Sequence, residues 1–164
     1  MNSKNILLIN DMPGYGKVAL SAMLPILSKM GHSIYNLPTA LVSNTLDYGK
    51  FEILETTNYM KNTIKVWDEL GFTFDCISTG FIISSEQVEI ITNYIQNQKK
   101  SNILVIVDPI MGDDGKLYNG ITNETVNHMK KLSSFADILV PNFTEATFLA
   151  GIFTNKTVLE KQEI

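Results

Sequence analysis

With 164 residues the chain fits one domain, long enough to bury about two-thirds of the surface that its unfolded form exposes. An apolar content of 45% excludes a disordered chain, and the net charge of −4 arises with 13 basic residues, all lysine, scattered along the sequence. The absence of arginine excludes the forked basic footprint of a nucleic-acid binder, and it leaves backbone N–H groups, lysine or a metal to hold any phosphate.

The first strand is predicted over residues 5–10, where Ile6-Leu7-Leu8-Ile9 follows the opening residues directly. This run is too short for a secretory signal and has no small-residue cleavage site, so a cytoplasmic protein is expected. No apolar segment of eighteen residues occurs, so no spanning helix is expected. A helix follows with Ala19, Ala22, Met23, Ile26, Leu27 and Met30 on one face and Gly31 as its stop. Pro25 removes one bond of its ladder and predicts a kink. Strands at 33–37 and 74–79 flank a second helix with Tyr59, Met60, Thr63, Ile64, Trp67 and Leu70, ending at Gly71. A third helix begins at Ser84 or Ser85 and carries Val88, Ile91 and Ile95; a strand at 103–107 follows. A fourth helix runs from about Thr122 with Val126, Met129 and Leu132, then come a strand at 138–140 and a fifth helix after Asn142. Another element is expected to begin around Lys156-Thr157-Val158-Leu159. Apolar strands alternating with amphipathic helices predict one α/β unit over residues 1–164, with a mostly parallel sheet covered on both faces. Trp67, the methionines and most phenylalanines are expected in the core. Cys76, the sole cysteine, reads as a buried, inert thiol. His32 and His128 have no partner at metal spacing and are expected on the surface.

Ligands of such sheets bind beyond the carboxyl ends of the strands, so the strand exits hold the candidate chemistry. The first exit reads Asn10-Asp11-Met12-Pro13-Gly14-Tyr15-Gly16-Lys17. A glycine-rich turn opening a helix can hold an anion. Here Val18 follows the lysine and the glycine spacing is short, so it is no P-loop; without a third glycine at Ala19-Leu20 it is no dinucleotide fingerprint either. A ligand-facing loop and a plain tight turn both remain open for it. The second exit, Pro38 to Thr45, offers hydroxyl and amide groups. At the third, Ser78-Thr79-Gly80-Phe81, the aromatic ring either stacks on a flat ligand or joins the core. The fourth, Val107-Asp108-Pro109-Ile110-Met111-Gly112-Asp113-Asp114-Gly115-Lys116-Leu117-Tyr118, gathers carboxylates whose repulsion calls for a cation or a hydrogen-bond network. In the fifth, Pro141-Asn142-Phe143-Thr144-Glu145-Ala146, Asn142 and Glu145 have capping-box spacing, and Glu145 falls near Asp108 if the two strands neighbour each other.

Taken together, INDMPGYGKVALSAMLPILSKMG, LPTALVSN, STGF, VDPIMGDDGKLY and VPNFTEATFLAG resemble, in order, the segments of the vitamin B6 kinases of the ribokinase-like superfamily. The resemblance is especially to bacterial pyridoxamine/pyridoxal kinases. The resemblance implies a three-layer α/β/α ribokinase-like fold, truncated at its C-terminal side. It implies ATP-dependent phosphorylation of the 5′-hydroxymethyl group of pyridoxamine, pyridoxal or pyridoxine. By the family pattern Asp108, Asp113 and Glu145 organise Mg²⁺, a monovalent cation and the triphosphate, with Tyr118 and Asn142 nearby. Asp11 faces the polar edge of the pyridine ring, Phe81 stacks near it and Ser43 lines the pocket. A homodimer is expected from the same resemblance. The alternatives are a hydroxymethylpyrimidine kinase of the same branch and a non-catalytic remnant that binds a B6 vitamer.

Two departures stand out. Thr45-Leu46-Asp47-Tyr48 replaces a His-Thr-Gly-Gly-like stretch, and no Gly-x-Gly-Asp run, which in the family carries the anion hole and the aspartate that activates the hydroxyl, occurs in the 164 residues. The catalytic base is therefore expected beyond Ile164, and this polypeptide alone is expected to be inactive, with an open sheet edge that favours association.

Overall fold

The computed structural model describes residues 3–98, 102–152, 154, 156 and 157. Val158 and Leu159, where a further element was expected, lie outside the described residues. The chain runs β1 (Asn5–Tyr15), α1 (Ala19–Lys29), β2 (Ser33–Asn44), a single 3₁₀ turn (Leu46–Tyr48), β3 (Ile53–Glu55), α2 (Thr57–Glu69), β4 (Cys76–Thr79), α3 (Ser85–Gln98) and β5 (Leu104–Val107). The short strands β6 (Gly112–Asp113) and β7 (Lys116–Leu117) follow, then α4 (Asn123–Ser133), β8 (Ile138–Leu139) and α5 (Phe143–Ala150).

The main sheet has the order β3-β2-β1-β4-β5-β8 and is parallel except for β3. Its inner rows read as continuous apolar runs because both faces of the central strands are covered. Leu7, Ile9, Ile77, Val105 and Val107 face a core built with Met60, Val88, Ile91, Ile95, Met129 and Leu132 of α2, α3 and α4. Leu8 and Leu20, both fully buried, lie outside that cluster, and α1 packs there against β1 and β2. The result is the expected three-layer α/β arrangement.

The structure corrects several local expectations. β1 and β2 do not end at Asn10 and Leu37; they continue as a paired ribbon, with Met12, Pro13 and Tyr15 opposite Leu41, Val42 and Asn44. A bulge falls between Asn10 and Met12, just past the last residue of β1 that pairs with β4. The glycine-rich segment is therefore mostly strand. Gly14 is small because a Cβ there would sit 3.0 Å from the Ser43 carbonyl oxygen of the facing strand. β3 and the β6–β7 hairpin were unforeseen, although Asp114-Gly115 is the two-residue turn that such a hairpin needs, with both residues at positive φ (48° and 75°).

Helix α1 runs through Pro25 to Lys29, but Ile26 and Met30 of its expected buried face are each 59% exposed. This helix spans only the first two strands, so its covered stripe is narrower than the apolar pattern. Tyr59 of α2 and Leu70 at its C-cap are exposed, while Met60 is buried. His128 is not a surface residue as expected: its side chain is 13% exposed, with Nε2 3.7 Å from Glu124 and a buried Nδ1 that has no hydrogen-bond partner among the described residues. His32 is half-buried and accepts the Lys4 backbone N–H. Trp67 packs partly buried against the core, edge-on to Phe74, whereas Phe72 and Phe143 are exposed. Cys76 is buried, and burial pushes its thiol up to about 11. Leu104, Ile138, Leu139 and Val140 are exposed along β5 and β8, so the sheet has an apolar edge opposite β3. Among the described residues no helix is long and apolar enough to cross a membrane.

Candidate functional site

The carboxyl ends of β4, β5 and β8, and β1 where it passes its pairing with β4, open into one cleft of about 430 Å³. The β1–β2 ribbon and the 3₁₀ turn form one wall, through Val42, Asn44, Thr45, Leu46 and Asp47. Val18 and Ala19, which open α1, form a second, and Phe81, Asp108, Ile110, Tyr118, Val140, Asn142 and Glu145 supply the rest, with Asp11 at the bend of β1.

Asp11 follows Asn10, whose buried side chain is fixed in place. The Asn10 Oδ1 accepts the Asp11 backbone N–H at 3.0 Å and the Phe81 N–H at 2.8 Å. Gly80 lies against this amide, and a Cβ there would come within 2.3 Å of it. Burial raises the Asp11 carboxyl to about 6. Phe81 is itself buried, so it joins the packing and still presents a surface to the cleft.

At the other end of the cleft, two segments that the sequence separates by thirty residues are wired together. Asn142 caps α5 by accepting the Glu145 N–H at 2.9 Å, and Glu145 Oε2 takes the Asn142 N–H at 2.9 Å in return. The same residues reach across to the acidic segment. Asn142 Nδ2 donates to the Gly112 carbonyl oxygen at 2.8 Å, Thr144 Oγ1 accepts the Gly115 N–H at 2.8 Å, and Glu145 Oε1 accepts the Met111 N–H at 3.2 Å. The hairpin is thus hung from the start of the helix. Gly112 is obligatory there, since a Cβ would lie 2.2 Å from the Lys116 carbonyl oxygen.

Burial raises the carboxyl of Glu145; backbone N–H groups of Asn142 and Met111 oppose the rise, and the charge of Asp108 adds to it. Burial raises Asp108 as well. The Tyr118 phenol is raised by burial first, then by the surrounding charges of Asp113, Glu145, Asp47 and Asp108. Among the described residues the lining carries four carboxylates, Asp11, Asp47, Asp108 and Glu145, and no lysine. Such a cleft favours cations.

Six of the eight residues expected at the site line this cleft: Asp11, Phe81, Asp108, Tyr118, Asn142 and Glu145. Ser43 and Asp113 do not. Ser43 lies on a strand between Val42 and Asn44, and alternation turns it to the other side, where its Oγ donates to Asn44 Oδ1 at 2.7 Å and accepts the Glu52 N–H at 2.8 Å. Asp113 is exposed on β6 and its carboxylate accepts the Asp114 N–H at 2.8 Å. Among the described residues no three Asp, Glu, His or Cys side chains converge to cage a metal ion. Sequence reasoning missed Asn44 and Asp47 in the lining, and Asn10 behind it. The departing stretch at Thr45-Leu46-Asp47 was the signal for the second, since an unusual loop beside a site contributes its own side chains.

A family model described as phosphomethylpyrimidine kinase matches residues 12–163. A pyridoxal kinase of Actinobacillus pleuropneumoniae is 32% identical over 157 residues, covering 91% of this chain and 54% of the relative. A Bacteroides thetaiotaomicron protein, provisionally assigned as a phosphomethylpyrimidine kinase and crystallised with pyridoxal, superposes with a TM-score of 0.92 at 35% identity, over 99% of this chain and 56% of that one. The pyridoxal kinase of Lactobacillus plantarum superposes with a TM-score of 0.86 at 30% identity, over 96% and 56%. The chain spans about half the length of the curated relatives it matches. With its ribokinase-like three-layer fold and this cleft at the strand ends, the chain belongs to the phosphomethylpyrimidine kinase family.

Proposed function

We propose that this chain provides the ring-binding cleft, and part of the phosphate-side wall, of a kinase that transfers the γ-phosphoryl group of ATP to the 5′-hydroxymethyl oxygen of a B6 vitamer. The observation that carries the reading is the shared cleft: a buried aromatic and a raised carboxyl at one end, Phe81 and Asp11, and two raised carboxyls at the other, Asp108 and Glu145. A flat heterocycle with a polar edge suits the first pair. Phosphoryl transfer asks for positioning and charge neutralisation rather than covalent catalysis, and it suits the second.

Mg²⁺ keeps several waters and takes one or two protein carboxylates plus phosphate oxygens, so Asp108 and Glu145 fit it without a full protein cage. When bound, it would neutralise phosphate charge that a lining without lysine leaves exposed. A monovalent cation would find the same acidic surroundings. In this reading Tyr118 and Asn142 border the phosphates, and Asp47 adds charge from the ribbon side. The hydroxyl-activating group belongs to a Gly-x-Gly-Asp run that these 164 residues lack. The chain by itself therefore binds without turning over, and a cytoplasmic, homodimeric whole protein completes the reading.

Calorimetry with pyridoxal, with ATP and Mg²⁺, and with both tests it. Pyridoxal binding without turnover in a coupled ATP-consumption assay is expected; turnover by this chain alone overturns the claim of inactivity, and no binding of any vitamer overturns the ring site. The name of the matching family favours a second reading, a hydroxymethylpyrimidine as the acceptor. Tighter binding of that pyrimidine than of any B6 vitamer would select it.

A further inference from the structure

We propose that Asn10 is a positioning residue for the ring end of the cleft, its single amide oxygen tying the backbone of Asp11 to that of Phe81. The assignment rests on the reading of this cleft as a ring-binding site. Asn10 does not line the cleft; it is 4% exposed behind it, at the point where β1 leaves its pairing with β4 and enters the ribbon.

Three features single it out. The Oδ1 accepts two N–H groups from chain segments seventy residues apart, at 3.0 and 2.8 Å. A serine or threonine hydroxyl is one atom too short to span both, and an aspartate would bring an uncompensated charge into a buried place. The amide nitrogen is turned the other way, 3.9 Å from the Met23 sulfur, so the two N–H groups fix the orientation of the side chain. Gly80 makes room for it, since no Cβ fits beside the amide.

Phe81 is held a second time. The buried Thr39 Oγ1, on the bulged stretch of β2, donates to the Phe81 carbonyl oxygen at 2.7 Å, and the Thr39 carbonyl oxygen accepts from Gln87 Nε2 at 2.8 Å. Both backbone groups of Phe81 are therefore clamped by side chains of β1 and β2. Asn10 alone also reaches Asp11. It acts on a ligand only through these two neighbours, and the burial that holds the Asp11 carboxyl up depends on the bend it fixes.

The test uses this chain with Asn10→Ala and, as a second variant, the isosteric Thr39→Val. Amide exchange and the carboxyl titration of Asp11 are followed by NMR, and pyridoxal affinity by calorimetry. Asn10→Ala is expected to release the Asp11 and Phe81 amides to exchange, to lower the Asp11 titration towards the ordinary carboxylate range, and to weaken pyridoxal about tenfold. Thr39→Val, which touches Phe81 alone, is expected to weaken pyridoxal while leaving the Asp11 titration in place. General loosening would move both readouts in both variants. Unchanged amides and titration in a folded Asn10→Ala chain overturn the proposal; if that variant does not fold, a Thr39→Val chain with unchanged pyridoxal affinity or a shifted Asp11 titration does so. A parent chain that binds no pyridoxal refutes the ring-site reading instead, and the two NMR readouts still decide the clamp.

Discussion

Asp11→Asn isolates the electrostatic cost of the candidate ring pocket. The folded carboxyl titrates near 6 because burial disfavours its charge, against about 4 in an unfolded chain. At 1.36 kcal/mol per pH unit, that gap makes the ionised form about 3 kcal/mol less favourable in the folded state than in the unfolded one; partial exposure to the cleft screens it to about 2 kcal/mol. The folded state holds the proton more tightly, so the stability this proton binding adds is fully present below pH 4 and is lost as the pH rises through 6, above which the cost of the buried charge is felt in full. Asparagine keeps the shape and never ionises. Urea unfolding followed by circular dichroism should therefore find the variant about 2 kcal/mol more stable than the parent at pH 7.5, and the gap should shrink to about a third of that near pH 4.5 and towards zero near pH 3. Other titrating groups, Asp108 and Glu145 among them, cancel in the difference between the two proteins. Equal stability at pH 7.5, or a gap that does not change with pH, would show that Asp11 is not the strained carboxyl described.

Asn142→Ala removes the cap of α5 and the tether to Gly112 together, and should lower stability by about 1–2 kcal/mol, read from the urea midpoint. Gly112→Ala forces a Cβ against the Lys116 carbonyl oxygen and should cost at least about 1–3 kcal/mol in the same measurement; an unchanged midpoint would mean the hairpin is not packed as described. Cys76, with its thiol pushed up to about 11, should react with a disulfide reagent at pH 8 only as fast as the chain opens, and the rate should rise steeply through the urea transition.

The layered architecture was legible because apolar runs and 3.6-residue periodicity survive any change of local detail. So was the acidic end of the site: Asp108 and Glu145 follow neighbouring strands, and the capping spacing of Asn142 and Glu145 is a local signal. What failed was register. A composition of Gly, Pro and Asn reads as loop, yet residues 11–15 and 38–44 pair as a ribbon, and once they do a single residue decides which side faces the cleft. That is why Val42 and Asn44 line it and Ser43 does not. Asp113 lies outside the lining, exposed on β6 before the Asp114-Gly115 turn, with its carboxylate accepting the Asp114 N–H. Asn10 left no trace in the pattern at all: its role depends on a partner seventy residues away.

The tether between α5 and the β6–β7 hairpin has a consequence for how the protein breathes. Asn142, Thr144 and Glu145 each satisfy backbone groups of residues 111–115, so neither segment can fray without orphaning polar groups of the other. The two form one cooperative opening unit, a foldon that includes Glu145 of the acidic lining. Its amides should exchange together and at one rate. A cation or nucleotide bound by Asp108 and Glu145 should slow that whole unit, including Gly115 on the far side of the hairpin, while the amides of β1 and β4 keep their native rates.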